Sequence, residues 1–366
     1  MIEGVKPLSE KPNTIQEFTV QFFADSVSID GTIFPLGQIS TDVLNLDEQT
    51  LRSLREQLDP FVSAVETRLW SPETEKAAAL AAEMQGKMNG VLDVIFEMPL
   101  YRHLELDKEF AKNLLPLMCE QQPEGFRLLC NPQSMDAAVF SGFINKFIAV
   151  YDEALSFRTY IALMLDMCFE RLKKRNGEHY AYGVYSFFKD AGMLTEVTAL
   201  TGLPNFLLFQ GQKTFIEYTT MPNPANEKEY IIAERMVFDS LGAFLHVDFF
   251  RGLMRGNAPR RCQNCGRFFL LTDGYDTRYC NNIAPGETKR TCRKVGAHRK
   301  EAQKAGGSLI QAEYKKVYNR LKTRRRRGKI DLSEWNRQVA LAQDYKEQAE
   351  KGQLSEFELQ QLYKGM

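Results

Sequence analysis

The spacing of hydrophobic residues predicts a short β unit followed by a long helical region. EFTVQFF and GTIFPLG are β-prone runs on either side of DSVSIDG, and together they predict a hairpin. Beyond them, apolar residues recur at helical spacing. Asp47 and Ser71 are expected to cap two helices, and a longer helix is predicted over residues 134–174. Residues 1–225 are therefore predicted to form a mainly helical N-terminal body.

The pattern changes in the second half of the chain. TFIEYTT is strand-like and NPAN is a loop, after which the spacing predicts a connecting helix within residues 226–257, from Glu227 to Met254. Residues 258–305 contain four cysteines and predict a zinc ribbon. Residues 306–366 predict C-terminal helices that are basic at first and acidic at the end. The expected fold is mainly α, with a small N-terminal β unit and a C-terminal four-cysteine zinc ribbon followed by basic helices.

Charge is distributed unevenly along a chain whose formal net charge is zero. Residues 1–250 carry 21 Lys and Arg against 35 Asp and Glu, whereas residues 251–330 carry 22 against 5. Such asymmetry indicates a basic functional segment attached to an acidic body. The length of 366 residues predicts two or three domains.

Neither a membrane span nor a secretory signal is expected. No run of 18 uncharged apolar residues occurs, and MIEGVKPLSEKPN has no basic region followed by an apolar run. The seven cysteines are odd in number and four of them cluster, which argues against a disulfide framework. We therefore expect a cytoplasmic protein.

The cysteine cluster predicts a metal site. Its spacing is C-x2-C-x14-C-x11-C, through Cys262, Cys265, Cys280 and Cys292. Two residues between thiolates let both sulfurs face one ion, and Gly266 permits the turn that follows. RFFLL and TRYC flank TDGYD in the form of a β-hairpin, which would return the third cysteine to the first pair. Four thiolates with no open position indicate structural Zn²⁺. A redox pair, an iron–sulfur cluster or plain buried thiols fit less well, and His298 is the alternative fourth ligand.

Motifs for catalysis are absent from the sequence. The chain lacks a phosphate-binding G-x-x-x-x-G-K-[ST], a G-x-G-x-x-G after a strand, a G-x-S-x-G and an H-E-x-x-H. His246 and Asp248 come nearest to an acid–base or metal pair, but residues two apart point to different faces of a helix. A lone His on an apolar helix is usually a core residue. We therefore expect no catalytic residue and no enzymatic activity.

The cysteine module also resembles a known family. Cys262-x2-Cys265-Gly-Arg-Phe-Phe, then Arg278-Tyr279-Cys280 and a final Cys292 with a basic helix, resemble the CGNR-type zinc ribbon. That module ends bacterial stress-induced transcription regulators. GYDTRYCNNIAPGETKRTCRKVGAHRK is similar to a family of bacterial proteins with a domain of unknown function. The resemblance covers about residues 250–305 and implies zinc ligation by the four cysteines and DNA binding.

Positive charges around and after the cysteines predict contacts with phosphate. Arg and Lys neutralise backbone phosphates and release counterions, so such binding depends on salt and little on base sequence. SLIQAEYKKVYNRLKTRRRRGK predicts a helix capped by Ser308, with an apolar seam and a basic remainder. The candidate nucleic-acid contacts are Arg261, Arg267, Arg278, Arg293, Lys294, Arg299, Lys300, Arg324, Arg325, Arg326 and Arg327.

Two interpretations of this basic segment stay open. In the first, the protein is a regulator that binds DNA or RNA and whose helical body senses a signal or binds a partner. In the second, zinc braces a docking surface for a protein partner or a homodimer, and the basic segment contacts the acidic body. The final helices, around Trp335, either pack on the basic helix or form a dimer surface.

Overall fold

The structure is a computed structural model that describes residues 12–68, 77–190, 195, 198–199, 214–272, 277–304, 309–351, 353–354 and 356–366. The chain divides into two compact units. The body unit comprises residues 1–261 and 267–277, and the cysteine unit comprises residues 262–266 and 278–366.

In the described part of the body unit, which starts at residue 12, three short strands come first. β1 (Phe18–Phe23), β2 (Ser26–Ile29) and β3 (Thr32–Pro35) pair antiparallel in succession and form a meander. The predicted hairpin is therefore wrong in one respect, because DSVSIDG, its expected loop, contains β2. Ala24 and Asp30 both adopt positive φ, which permits a tight reversal at each end of β2.

The described residues between this meander and residue 190 are mainly helical, as the spacing predicted. The helices are α1 (Gln38–Leu44), α2 (Glu48–Arg68), α3 (Ala77–Phe96), α4 (Lys108–Gln121), α5 (Pro123–Leu129), α6 (Met135–Met164) and α7 (Gly177–Lys189). Asp47 accepts a backbone hydrogen bond from the amide of Thr50 at 2.6 Å in the first turn of α2, which confirms its predicted cap. Ser134 caps α6 in the same way, accepting from the amide of Ala137 at 2.9 Å. α6 continues into a π-helical turn, Leu165–Phe169. The predicted cap at Ser71 lies outside the described residues.

The predicted connecting helix is wrong in its first half. β4 (Phe215–Asn223) and β5 (Asn226–Phe238) form a hairpin that turns at NPAN, and α8 (Leu241–Met254) begins only after it. EYIIAERMVF combines apolar spacing that also fits a helix with several β-branched and aromatic residues, and pairing with β1 and β4 decides in favour of a strand. The strands form one sheet in the order β3-β2-β1-β5-β4.

An aromatic cluster joins this sheet to α8 in the core of the body unit. Phe18 and Phe22 of β1, Phe238 of β5 and Phe244 of α8 are all at most 1% exposed. Their neighbouring rings lie 5.6–6.4 Å apart, between centroids. Burial of each such side chain contributes about 1.5–3 kcal/mol, so this cluster is a main source of cohesion between strands that are distant in sequence.

A second, two-stranded sheet corrects the predicted ribbon hairpin. β6 (Ala258–Arg261) pairs antiparallel with β7 (Phe268–Leu271), so RFFLL pairs with APRR and not with TRYC. Asn45 fixes β7 through hydrogen bonds to both the amide and the carbonyl group of Phe268, each 2.8 Å long. The first two cysteines fall in the sequence between these strands, where Gly266 has a φ of +74°.

Among the residues that the structure describes, four helices belong to the cysteine unit. They are α9 (Cys292–Lys304), α10 (Leu309–Arg326), α11 (Leu332–Glu350) and α12 (Glu356–Lys364). Val317 and Leu321 of α10 are buried with Ala342 of α11 and Leu359 of α12, and Trp335 packs at the edge of this core. The predicted packing of the last helices on the basic helix is therefore confirmed. The predicted cap at Ser308 lies outside the described residues.

None of the helices that the structure describes is long and apolar enough to cross a membrane.

Candidate metal centre

The four predicted cysteines come together in the cysteine unit. Their sulfur atoms all lie within 4.8 Å of one another, and those of Cys265 and Cys280 are 3.7 Å apart. Cys262, Cys280 and Cys292 are at most 3% exposed, and Cys265 is partly buried. A disulfide requires about 2.05 Å between sulfurs, so these are thiols gathered around a common point.

Backbone hydrogen bonds explain how the third cysteine reaches the first pair. The amide of Gln263 donates to the carbonyl oxygen of Arg278 at 3.0 Å, and the amide of Cys280 donates to Cys262 Sγ at 3.4 Å. The amide of Gly266 closes the first turn by donating to the carbonyl oxygen of Cys262 at 2.9 Å. Thus the cysteine is placed as predicted, although the predicted hairpin is not what places it.

The fourth cysteine returns through a closed loop formed by NNIAPGETKRT. Ala284 donates to the carbonyl oxygen of Arg290 at 2.9 Å, and Cys292 donates to that of Asn282 at 2.8 Å. Gly286, with a φ of +77°, lies at the tip. Cys292 is consequently in the cluster, and the exposed His298 is not among the clustered ligand atoms.

The protonation of the cluster favours a bound cation. Burial raises the pKa of Cys262, but hydrogen bonds from the amides of Cys280, Cys265 and Asn264 outweigh it and lower that pKa to about 7. Burial and hydrogen bonds with neighbouring sulfurs raise the pKa of Cys280. The thiolate form of Cys262 is therefore stabilised, whereas the buried surroundings oppose the loss of a proton from Cys280. A metal ion removes this opposition because it neutralises adjacent thiolates.

Asn264 adds a polar contact that the sequence did not single out. Its side-chain amide donates to Cys292 Sγ at 3.3 Å. Donors of this kind orient and stabilise a metal-bound thiolate. Its position between Cys262 and Cys265 could have indicated this contact. The cysteine spacing by itself predicts only the metal ligands.

An acidic π-helical turn holds the two arginines that precede the first cysteine, within the body unit. Arg261, a predicted nucleic-acid contact, forms an ion pair with Asp166 at 2.8 Å and lies 4.3 Å from the centroid of the Phe268 ring. Arg260 is 4% exposed and donates to Glu170 at 3.3 Å. Arg261 therefore makes the contact with acidic groups that the second interpretation expects.

The remaining candidates near the cysteines differ in exposure. Arg267, in the body unit, is exposed, as are Arg278, Arg293 and Lys294 of the cysteine unit. Arg299 and Lys300 follow in α9, where the backbone is described and the side chains are not.

Several basic residues of α10 make contacts within the helical bundle. Arg320 donates to the carbonyl oxygen of Tyr363, and Arg324 donates to that of Met366 at 2.6 Å. The guanidinium of Arg325 lies 4.9 Å from the centroid of the Trp335 ring. Arg324 and Arg325, both predicted nucleic-acid contacts, thus hold α11 and α12 against α10.

Another set of cations forms what we call the basic stripe: Lys315, Lys322 and Arg326. With Asn319, these positions follow the spacing i, i+4, i+7 and i+11, which places them on one face of α10. All four residues are exposed, and the buried Val317 and Leu321 lie on a different face. Arg327 is exposed just beyond the helix. Within the described part of the chain, the stripe forms no ion pair or hydrogen bond through its side chains.

Asp248 has a structural role in the body unit. Its carboxylate is fully buried and accepts hydrogen bonds from the amides of Gly37 and Ser40, at 2.8 and 2.9 Å, and from the Ser40 hydroxyl at 2.7 Å. It thereby caps α1, whose own cap residue, Gly37, has no side chain. His246 packs against the ring of Phe250, with centroids 4.6 Å apart.

Residues 210–364 match a family of unknown function, DUF6076. The match runs from β4 to α12 and covers less than half of the chain, including all four clustered cysteines and the basic stripe. It agrees with the resemblance to bacterial proteins that carry a domain of unknown function. No curated protein and no solved structure matches the chain.

Proposed function

We propose that the cysteine unit is a zinc-stabilised module that binds DNA or RNA through the phosphate backbone. The observation that carries this proposal is the basic stripe: exposed cations aligned on one face of α10, away from the face that buries Val317 and Leu321 in the bundle. In the second interpretation, the basic residues would be engaged by acidic groups. The arginines that make internal contacts are different residues from those of the stripe.

The dimensions of the stripe suit a nucleic-acid strand. Lys315 and Arg326 are eleven residues apart, which corresponds to about 16 Å along a helix axis. Each strand of a duplex presents one phosphate per 3.4 Å of axis, so about five phosphates lie within that length. Glu313, the acidic residue of α10, pairs with Lys316 at 2.5 Å and lies outside the stripe. The resulting local field attracts an anionic strand.

Zinc is the metal that the donor set supports best. Four thiolates around a tetrahedral Zn²⁺ stand about 2.3 Å from the ion, which separates the sulfurs by about 3.8 Å, close to the 3.7 Å between Cys265 and Cys280. Four protein ligands leave no open position for substrate, which supports a structural and not a catalytic role for the ion. The resemblance to the CGNR-type ribbon supports the same assignment and DNA as a ligand.

Fluorescence anisotropy with a labelled duplex and a labelled single strand tests this proposal between about 50 and 200 mM salt. The triple variant Lys315→Gln, Lys322→Gln, Arg326→Gln is expected to bind at least about tenfold more weakly. The slope of log affinity against log salt is expected to fall by up to about 3, since each phosphate contact contributes about 0.9.

A charge-matched control separates the stripe from net charge. Arg52→Gln, Arg127→Gln, Lys228→Gln removes three exposed cations from the body unit and is expected to leave binding nearly unchanged. Equal binding by the stripe variant and the wild-type protein would refute the assignment of this surface. Absence of binding in the metal-loaded wild-type protein would refute nucleic-acid binding altogether and favour the protein-docking alternative.

A further inference from the structure

The β4–β5 hairpin extends beyond the rest of its sheet. β1 pairs with β5 only from Glu234 to Phe238, whereas β4 pairs with β5 from Val237 outward to the turn. Residues 219–233 therefore form a two-stranded ribbon, which we call the arm. A two-stranded hairpin is marginally stable in water unless something packs against it.

Large apolar side chains cover one face of the arm and its base. Thr220 lies opposite Ile232 and Pro222 opposite Tyr230, so these residues share a face with Tyr218. Tyr218, Tyr230 and Ile232 are 71%, 72% and 73% exposed. Soluble monomers rarely expose contiguous apolar side chains of this size without a binding role.

Between Phe215 and Met221, the outer edge of β4 carries few of the features that normally prevent pairing with another strand, and Pro222 and the register shift at Pro222 and Asn223 come only at its far end. Among the described strands, β4 lies at one end of the sheet order. Its sequence, FIEYTTMPN, contains no Lys or Arg, and its pairing with β5 is regular until Pro222 and Asn223. Edge strands of stable monomers usually carry lysines, inward charges or bulges along their length.

We propose that β4 pairs antiparallel with β4 of a second copy of this chain, forming a dimer with a continuous sheet across the two-fold axis. A two-fold axis at Tyr218 places Ile216 opposite Thr220 and Phe215 opposite Met221 of the copy. Residues of the same parity then meet, so the apolar faces of the two arms join. Glu217, the charged residue of β4, lies opposite Thr219 in this register and avoids its own copy.

The exposed area is of the size that a dimer interface requires. Phe215, Tyr218 and Tyr230 are 79%, 71% and 72% exposed. Since a large aromatic side chain buries about 150–250 Å², Tyr218 and Tyr230 offer roughly 200–350 Å² on one face of the hairpin, and Phe215 offers roughly 120–200 Å² on the other, before Ile216 and Ile232 are added. A standard interface buries about 800 Å² on each partner, so these side chains supply much of it.

Charge makes a nucleic acid the wrong occupant for this surface. The hairpin from residue 215 to 238 contains Glu217, Glu227, Glu229 and Glu234 against Lys228 and Arg235. An acidic ribbon repels phosphate. A second copy of β4 can instead form backbone hydrogen bonds and apolar contacts with the first, and each strand brings only one acidic residue to the interface. The inference is independent of the function proposed for the cysteine unit.

Sedimentation equilibrium of the full chain between about 1 and 100 µM tests the dimer. The wild-type protein is expected to approach twice the monomer mass, whereas Tyr218→Lys and Ile232→Lys are each expected to weaken dimerisation at least about tenfold. Met135→Lys is the matched control, because Met135 is 82% exposed on α6, and this variant is expected to remain dimeric.

Hydrogen exchange of the wild-type protein provides a test that needs no variant. Amides of β4 are expected to exchange more slowly at high than at low protein concentration, while those of α6 are unaffected. A monomeric mass across the whole concentration range would overturn the proposal. A dimer that persists in both lysine variants with unchanged affinity, or β4 exchange independent of concentration, would overturn it equally.

Discussion

Replacement of Asp248 by alanine is expected to destabilise the body unit strongly. The carboxylate accepts three buried hydrogen bonds at the start of α1, and alanine leaves the donors of Gly37 and Ser40 without that acceptor. Each buried donor without a partner costs about 1–3 kcal/mol. The Ser40 hydroxyl retains the carbonyl oxygen of Leu245 at 3.2 Å, so the total lies in the lower part of the range, at about 3–5 kcal/mol.

Scanning calorimetry measures this effect, with a chelator added in a parallel scan to identify the metal-dependent transition of the cysteine unit. For a unit of this size, about 1 kcal/mol lowers Tm by about 2–4 °C, so the body transition of Asp248→Ala is expected to fall by roughly 6–20 °C. Asp47→Ala is the control, because Asp47 also caps a helix but water replaces its exposed carboxylate. A body transition of Asp248→Ala that stays within about 2 °C of the wild-type value, or an equal fall in Asp47→Ala, would refute the reasoning.

Three further predictions concern the metal centre, its packing and pH. Elemental analysis is expected to find no metal in Cys280→Ser, because one of the four ligands is lost. Cys119→Ser, which lies outside the cluster, is expected to keep the metal. Metal retained by Cys280→Ser would contradict the ligand assignment. Gly296→Ala places a methyl group against the ring of Tyr279, which lowers the free energy of unfolding of the cysteine unit by about 1–3 kcal/mol. A lower concentration of chelator is therefore expected to unfold this unit. An unchanged chelator concentration would contradict the prediction. Burial raises the pKa of Glu153 from 4.5 to about 7, so the folded state binds the proton more tightly than the unfolded state does. The free energy of unfolding is therefore expected to fall by up to about 3 kcal/mol as the pH rises from 4.5 to about 7. Glu153→Gln is expected to flatten that dependence in urea unfolding; an identical pH profile would contradict it.

Local patterns predicted the parts of the fold that local chemistry controls. The cap at Asp47 depends on a donor within three residues, and it is present as predicted. The cysteine spacing predicted which thiols gather. It did not predict how Cys292 returns, because the hydrogen bonds that close the 282–291 loop leave little trace in spacing.

The sequence pattern could not predict which distant strands pair or in which direction individual side chains point. Residues 226–238 carry helical spacing, and their strand conformation depends on β1, more than two hundred residues earlier. The run of basic residues in α10 shows how many charges are present. It does not show that Arg324 turns inward to the bundle while Arg326 faces solvent.

The pairing of β1 with β5 also constrains the order in which the body unit folds. Phe18 lies opposite Phe238, so β1 emerges from the ribosome long before its partner is synthesised. Until then, the nascent meander presents an unpaired strand edge lined with phenylalanine, which is a template for aggregation. Chains truncated before β5 are therefore expected to need chaperone protection. β1 is made about two hundred residues before its partner strand, so this sheet closes only after β5 has been translated.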